Sequence, residues 1–149
     1  MYPAGRVQLT RRPAAPDDVP FLMELRRRTM DPHLSASGAS TGDHDHLARL
    51  MYRFDCAEVL LQEGVPVGLL KVTRDNAPWK VIQIQLVPEL QGQGLGADLL
   101  AEVIAEANRA NVAVALSVLK SNPARVLYER LGFAVVGESE HEFDMLRQA

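Results

Sequence analysis

Cysteine is almost missing from this chain of 149 residues: Cys56 is the only one, so no intrachain disulfide can form. It stands in FDCAEVLL, entering an apolar run, the setting of a buried thiol rather than a reactive one. Long apolar runs are missing as well. No segment approaches the about 18 continuous apolar residues that suggest a membrane span, and MYPAGRVQLTRR holds no apolar core of signal-peptide length. The expectation is a soluble, cytoplasmic protein without a membrane partner. Positive charge is not in excess: the formal net charge is −3. Arg11 and Arg12, then Arg26, Arg27 and Arg28, therefore read as solvated helix surface, and no nucleic-acid partner is expected. The four histidines (33, 44, 46 and 141) form no ligand constellation. His44 and His46 diverge by about 200° on a helix, so no metal is expected. Internal repeats, heptads and linkers are also lacking, so residues 1–149 read as one domain.

What is present suffices for a core. Hydrophobic residues make up 47% of the chain and charged ones 23%, near the globular average. VQLTRR (7–12) alternates like a short strand. In APDD, Asp17 or Asp18 can cap a helix carrying Val19, Phe21, Leu22 and Leu25. Asp31-Pro32 predicts the end of that helix, because proline disfavours α geometry in the residue before it. SASGASTGD (35–43) reads as loop, and DHDHLARLMYRF as a second helix with Leu47, Leu50, Met51 and Phe54 on one stripe. AEVLLQ and PVGLLKVT around EGVP predict an antiparallel hairpin. WKVIQIQLV (79–87) is the longest strand candidate. Strict alternation puts Ile82, Ile84 and Leu86 on one face and Val81, Gln83, Gln85 and Val87 on the other. The two amides mark either a face that meets a polar ligand or one that is partly solvated.

QGQGLGA (91–97) follows, then a helical stripe through Leu95, Leu99, Leu100, Val103, Ile104 and Ala107. VAVALSV reads as a strand. NPARVLYERLGF carries a helix with Asn122 as N-cap, Pro123 in first position and Gly132 at the left-handed exit. Two further strands, FAVVGE and HEFDML, close an α/β domain with a mixed sheet.

A strand, a bare turn and a helix N-terminus make an anion site, since the first helical amides lack partners and glycine admits close approach. The spacing Gly92-x-Gly94-x-Gly96, late in the chain, does not match the dinucleotide fingerprint G-x-G-x-x-G. Ala97 and Asp98 after Gly96 do not match the Lys-Ser/Thr of a triphosphate loop. Gln91-x-x-Gly94-x-Gly96 does match the pyrophosphate loop of the GNAT superfamily of acetyl-CoA-dependent N-acetyltransferases. LVPELQGQGLGADLL resembles that family's strand-loop-helix segment, and NPARVLYERLGF supplies its second signature with Asn122, Tyr128, Gly132 and Phe133. The matching segment covers roughly 79–147.

The resemblance implies a GNAT fold: a central mixed, mostly antiparallel sheet of six to seven strands, splayed at the cofactor site and flanked by about four helices. It implies acetyl-CoA as acyl donor and a small-molecule or peptide amine as acceptor; a homodimer is compatible with it. Backbone amides of Gln91, Gly92, Gln93, Gly94, Gly96 and Ala97 would hold the pyrophosphate. Leu86 and Val87 would pair with the pantetheine arm as a strand does, with an amide near Val87 at the reaction's oxyanion. Asn122 would bind the arm while capping its helix, and Tyr128 would protonate the leaving thiolate. Arg28, Met30, His33, Phe54 and Glu142 are the expected acceptor-side residues, with Gln83 and Gln85 as floor and Arg28 suited to a substrate carboxylate. One family feature is missing. The strand before the loop carries Gln83 and Gln85 where many members carry a carboxylate base, and an amide accepts no proton at neutral pH. Glu142 is the favoured substitute; His141, Asp55, Glu58 or a water on the glutamines are the others. That gap also leaves open a non-catalytic acyl-CoA-binding or sensing module.

Overall fold

Architecture is taken from a computed structural model in which residues 8–37 and 42–149 are described; the side chains of His33, Ala36 and Ser37 lie outside that description. Residue 7 of the first expected strand and 38–41 of the expected loop therefore fall outside it too. The described residues form seven strands and four α-helices. The strands are β1 (Thr10–Pro13), β2 (Ala57–Gln62), β3 (Val65–Thr73), β4 (Trp79–Leu86), β5 (Val114–Leu119), β6 (Ala134–Glu138) and β7 (Glu142–Arg147). The helices are α1 (Val19–Ser37), α2 (Asp43–Met51), α3 (Leu95–Arg109) and α4 (Ala124–Arg130), with single 3₁₀ turns at Pro16–Asp18, Phe54–Cys56 and Pro88–Leu90.

One sheet holds all seven strands in the order β1-β2-β3-β4-β5-β7-β6. Every neighbouring pair is antiparallel except β4 with β5. That parallel ladder is short, joining Trp79–Val81 to Val114–Leu116 and no further. Beyond it β4 runs on to Leu86 and β5 to Leu119 without pairing, so the sheet opens into a wedge at its centre. The expected hairpin joins β2 to β3 through Glu63 and Gly64, whose φ values of 50° and 81° suit a two-residue primed turn.

Two expectations are corrected. α1 does not stop at Pro32 but continues to Ser37. An interior proline removes one helical hydrogen bond and costs about 3 kcal/mol in isolation. Here the turn beyond it buries Leu34, and Asp31 just before it is held by His46. Tertiary contacts thus offset the local penalty. Along β4, strict alternation fails at Ile82. Lys71 pairs with Gln83 but Val72 with Val81, leaving Ile82 as an extra residue, a β-bulge. Val81 consequently packs into the same apolar cluster as Ile84 and Leu86. Gln83 and Gln85 share the other face with Lys71 and Leu69.

The larger core packs α3, Tyr128 of α4 and Phe133 against β3, β4 and β5. A smaller one joins α1 and Leu50 of α2 to β2 and Leu69. Within it Lys71 is fully buried, and its ammonium donates to the carbonyls of Arg49, Leu50 and Tyr52 at 3.2, 2.7 and 2.6 Å. It caps the carboxyl end of α2, where a cation is favoured. Cys56 closes the turn before β2 and is half-buried, less enclosed than expected, with Arg53 Nη2 3.2 Å from its sulfur.

Candidate active site

The wedge between β4 and β5 continues into a cleft of about 540 Å³. One wall comes from α1 and α2, the floor from β4 and β5, and the far wall from α4 and the β6–β7 turn. At the β4 end, Pro88–Leu90 turns the chain into the glycine loop. Gly92 and Gly94 take φ of 77° and 80°, left-handed values that favour glycine. Gly94 is the N-cap of α3, and its carbonyl accepts the first helical bond, from Asp98 N at 3.1 Å. The amides of Leu95, Gly96 and Ala97 therefore precede the helical ladder. A Cβ built at Gly92 or Gly96 would meet no atom within 4 Å, so there is open space where a phosphate would sit.

The same cleft holds the aromatic hydroxyl expected from NPARVLY. Tyr128 is buried, packed edge-on against Phe133 at 6.2 Å, and lines the cleft. Burial pushes its phenol above the ordinary 10, so it stays protonated through the neutral range. Asn122 also lines the cleft and accepts from Ala124 N at Oδ1, 2.9 Å; α4 begins one residue later than expected, with Pro123 at the N-cap and Asn122 just before it.

A model of the acetyltransferase (GNAT) domain matches residues 42–148. The chain belongs to the GNAT acetyltransferase family. Solved GNAT structures share its fold. The PaiA N-acetyltransferase of Thermoplasma acidophilum, in complex with coenzyme A, superposes with a TM-score of 0.74 at 14% identity, covering 95% of this chain and 99% of that one. An acetyltransferase of Thermus thermophilus reaches 0.75 at 20% identity over 96% and 98%. The ribosomal-protein-S18-alanine N-acetyltransferase of Escherichia coli reaches 0.70 at 21% over 95% and 94%. No curated protein is a significant sequence match.

In this GNAT domain several expected site residues converge. Met30, Gln83, Gln85, Asn122, Tyr128 and Glu142 all line the cleft, as does His141. Gln83 and Gln85 are 6% and 7% exposed, and the carbonyl oxygen of each is buried without a hydrogen-bond partner among the described residues. Such an orphan costs about 1–3 kcal/mol unless something occupies it, which favours a ligand-facing role over a solvated face. Asp55 and Glu58 line a separate pocket with Arg11 and Arg53 and are not in the cleft.

Other expectations are corrected. Arg28 turns outward to pair with Glu89 and lines no part of the cleft. Phe54 packs against the smaller core instead. The expectation for His33 is not among those corrected: the residue lies on α1, and its side chain is outside the described residues. The amide of Val87 donates to Val67 O at 2.9 Å, so it cannot serve an oxyanion. Antiparallel alternation turns the Leu86 amide away from β3, towards the gap. The Gln91 amide is likewise taken, by Pro88 O at 3.2 Å. The Gln91 and Gln93 side chains bond back to Leu86 O and Glu89 O at 3.0 and 3.2 Å, bracing the loop.

One cleft-lining side chain escaped the sequence reading. Arg26, grouped there with solvated arginines, is 3% exposed and lines the cleft. A signal existed: Leu22, Arg26, Met30 and Leu34 are spaced i, i+4 on the inward stripe of α1.

Proposed function

We propose that this domain is an N-acetyltransferase that moves acetyl from acetyl-CoA to a primary amine by direct attack in a ternary complex. The observation that carries this reading is the Tyr128 side chain lining the cleft at the opened β4–β5 wedge, with the far end of β4 leading into the open glycine loop. The coenzyme A held by the Thermoplasma acidophilum relative supports the same donor here.

The loop amides of Gly92, Gln93, Gly94, Gly96 and Ala97 would hold the pyrophosphate, helped by the α3 dipole. The unpaired edge of β4 offers backbone groups to the amide-bearing arm, as a strand edge offers them to a peptide. The neutral amine attacks the thioester carbonyl carbon, and the Leu86 amide donates to the oxygen that gains charge. Collapse of the tetrahedral intermediate expels the CoA thiolate. Tyr128, kept protonated by its burial, gives its proton to the departing thiolate and regains one from the newly acylated nitrogen. Glu142, on the cleft wall at the start of β7, takes the proton from the incoming ammonium. The unpartnered Gln83 and Gln85 oxygens accept from the amine and aim its lone pair. Positioning supplies most of the rate, and no acyl-enzyme forms.

The two glutamines also motivate the rival, a binding module without chemistry. Calorimetry with acetyl-CoA followed by thiol release across an amine library separates the two. Turnover on any amine rejects the module; binding without turnover on every amine rejects the transferase.

A further inference from the structure

Arg26 is a buried cation that touches no carboxylate among the described residues, although burial of an unpaired charge is costly; Asp31, beyond His46, acts on it only through its field. Its one described hydrogen bond runs from Nε to His46 Nδ1 at 3.1 Å. A guanidinium only donates, so His46 Nδ1 must carry the lone pair and Nε2 the proton. Nε2 sits 2.6 Å from Asp31 Oδ1, which accepts that proton's hydrogen bond. His46 is itself 1% exposed, so a buried imidazole fixes the orientation of the guanidinium. The two terminal nitrogens of Arg26 have no described partner, and the residue lines the same cleft as Gln83 and Glu142. Burial, and then the field of Arg49, pulls the guanidinium down to about 10, and it stays charged at neutral pH.

Arg49 lines the cleft too, so the α1–α2 wall carries two cations, while Glu140 and Glu142 stand on the opposite wall. This arrangement is bipolar. An ammonium is drawn towards the acids and the orphan glutamine oxygens, and an anion towards Arg26.

We propose that Arg26, held in place by His46 and Asp31, binds an anionic group of the acceptor, and that the acceptor is a small primary amine bearing a carboxylate. A planar guanidinium with two free terminal nitrogens matches the two oxygens of a carboxylate in a fork. The proposal rests on the transferase reading above. Arg26 and His46 have different parts: the first touches substrate, the second positions the first.

The test compares amino acids with their carboxamides, and with O-phosphoethanolamine, in thiol release by the wild-type protein. Calorimetric binding of the same compounds in the presence of CoA runs in parallel. A carboxylate should improve kcat/KM over its amide by at least about 30-fold, the effect of completing a buried charge pair. R26M should abolish the advantage of the acids over the amides, through KM, with acetyl-CoA affinity preserved. H46A should raise KM for the acids, and H46N, whose carbonyl can replace Nδ1 as acceptor, should restore part of the loss. Equal use of acids and amides, or preference for the phosphate, overturns the proposal while leaving the transferase intact. Carboxylate-dependent binding without turnover on any amine supports the Arg26 site and overturns the transferase reading instead.

Discussion

At the scale of single residues, the cleft separates groups that shape it from groups that react in it. Gly96 offers a clean separation. It lies in the first turn of α3 with no atom near its absent side chain, unlike Gly92, whose positive φ would strain any replacement. Gly96→Leu should therefore leave folding stability unchanged or raise it by up to about 1 kcal/mol, since leucine favours helix over glycine. Acetyl-CoA affinity should nevertheless fall at least about tenfold, a loss of ~1.4 kcal/mol, read by calorimetry. Unchanged affinity would remove the loop from the binding site. Tyr128→Phe keeps the packing against Phe133 and removes only the hydroxyl. Its kcat should drop by about 10²–10⁴, the usual weight of a positioned acid, with acetyl-CoA affinity preserved. Full turnover by this variant across the pH range would eliminate Tyr128 as the acid.

At the scale of elements, β3 and β4 must approach closely at the end of β4 that has already parted from β5. Gly68 permits it. A Cβ there would stand 2.5 Å from Gln85 O and 2.9 Å from Leu60 Cδ1, and one of these belongs to the rigid ladder itself. Gly68→Ala should cost about 1–3 kcal/mol, as overpacking does, measured by urea unfolding. It should also raise KM for the acceptor, because it shifts the strand that presents Gln85. α1 teaches a related lesson. Its proline survives in mid-helix because Leu34 and the Asp31–His46 bond hold the final turns against the rest of the molecule.

At the scale of the whole molecule, α2 is fastened to the sheet through Lys71, and this makes stability depend on alkaline pH. Burial, then the charge of Arg26, lowers the Lys71 ammonium from the ordinary 10.5 to about 8. Below about pH 8 both folded and unfolded chains hold the proton, and the burial penalty is fully present. Between about 8 and 10.5 the unfolded chain binds more protons, so stability rises with pH across that window. Urea unfolding from pH 7 to 10.5 should show the wild type gaining on Lys71→Met as pH increases, with the difference cancelling other titrations. A flat difference would mean that Lys71 titrates alike in both states.

Much of this was written locally. The hairpin through Glu63-Gly64, the stripe of α3, the helix α4 between Asn122 and the left-handed Gly132, and the glycine loop each follow from neighbours in sequence, because backbone sterics, orphan helical amides and periodic burial act over a few residues. The two family signatures accordingly pointed to the fold, and of the expected site residues Met30, Gln83, Gln85, Asn122, Tyr128 and Glu142 line one cleft. What sequence could not set were choices between equivalent local options. Whether Arg26 or Arg28 turned inward depended on which face of α1 met His46 and the sheet. The face taken by Val81 depended on one bulge residue, Ile82, and the shift of pairing from Lys71 to Val72 across it. The Val87 amide went to Val67, twenty residues away, rather than to the cleft. Each outcome was decided by long-range pairing, since a side chain's face is fixed only when the partner that buries it is in place.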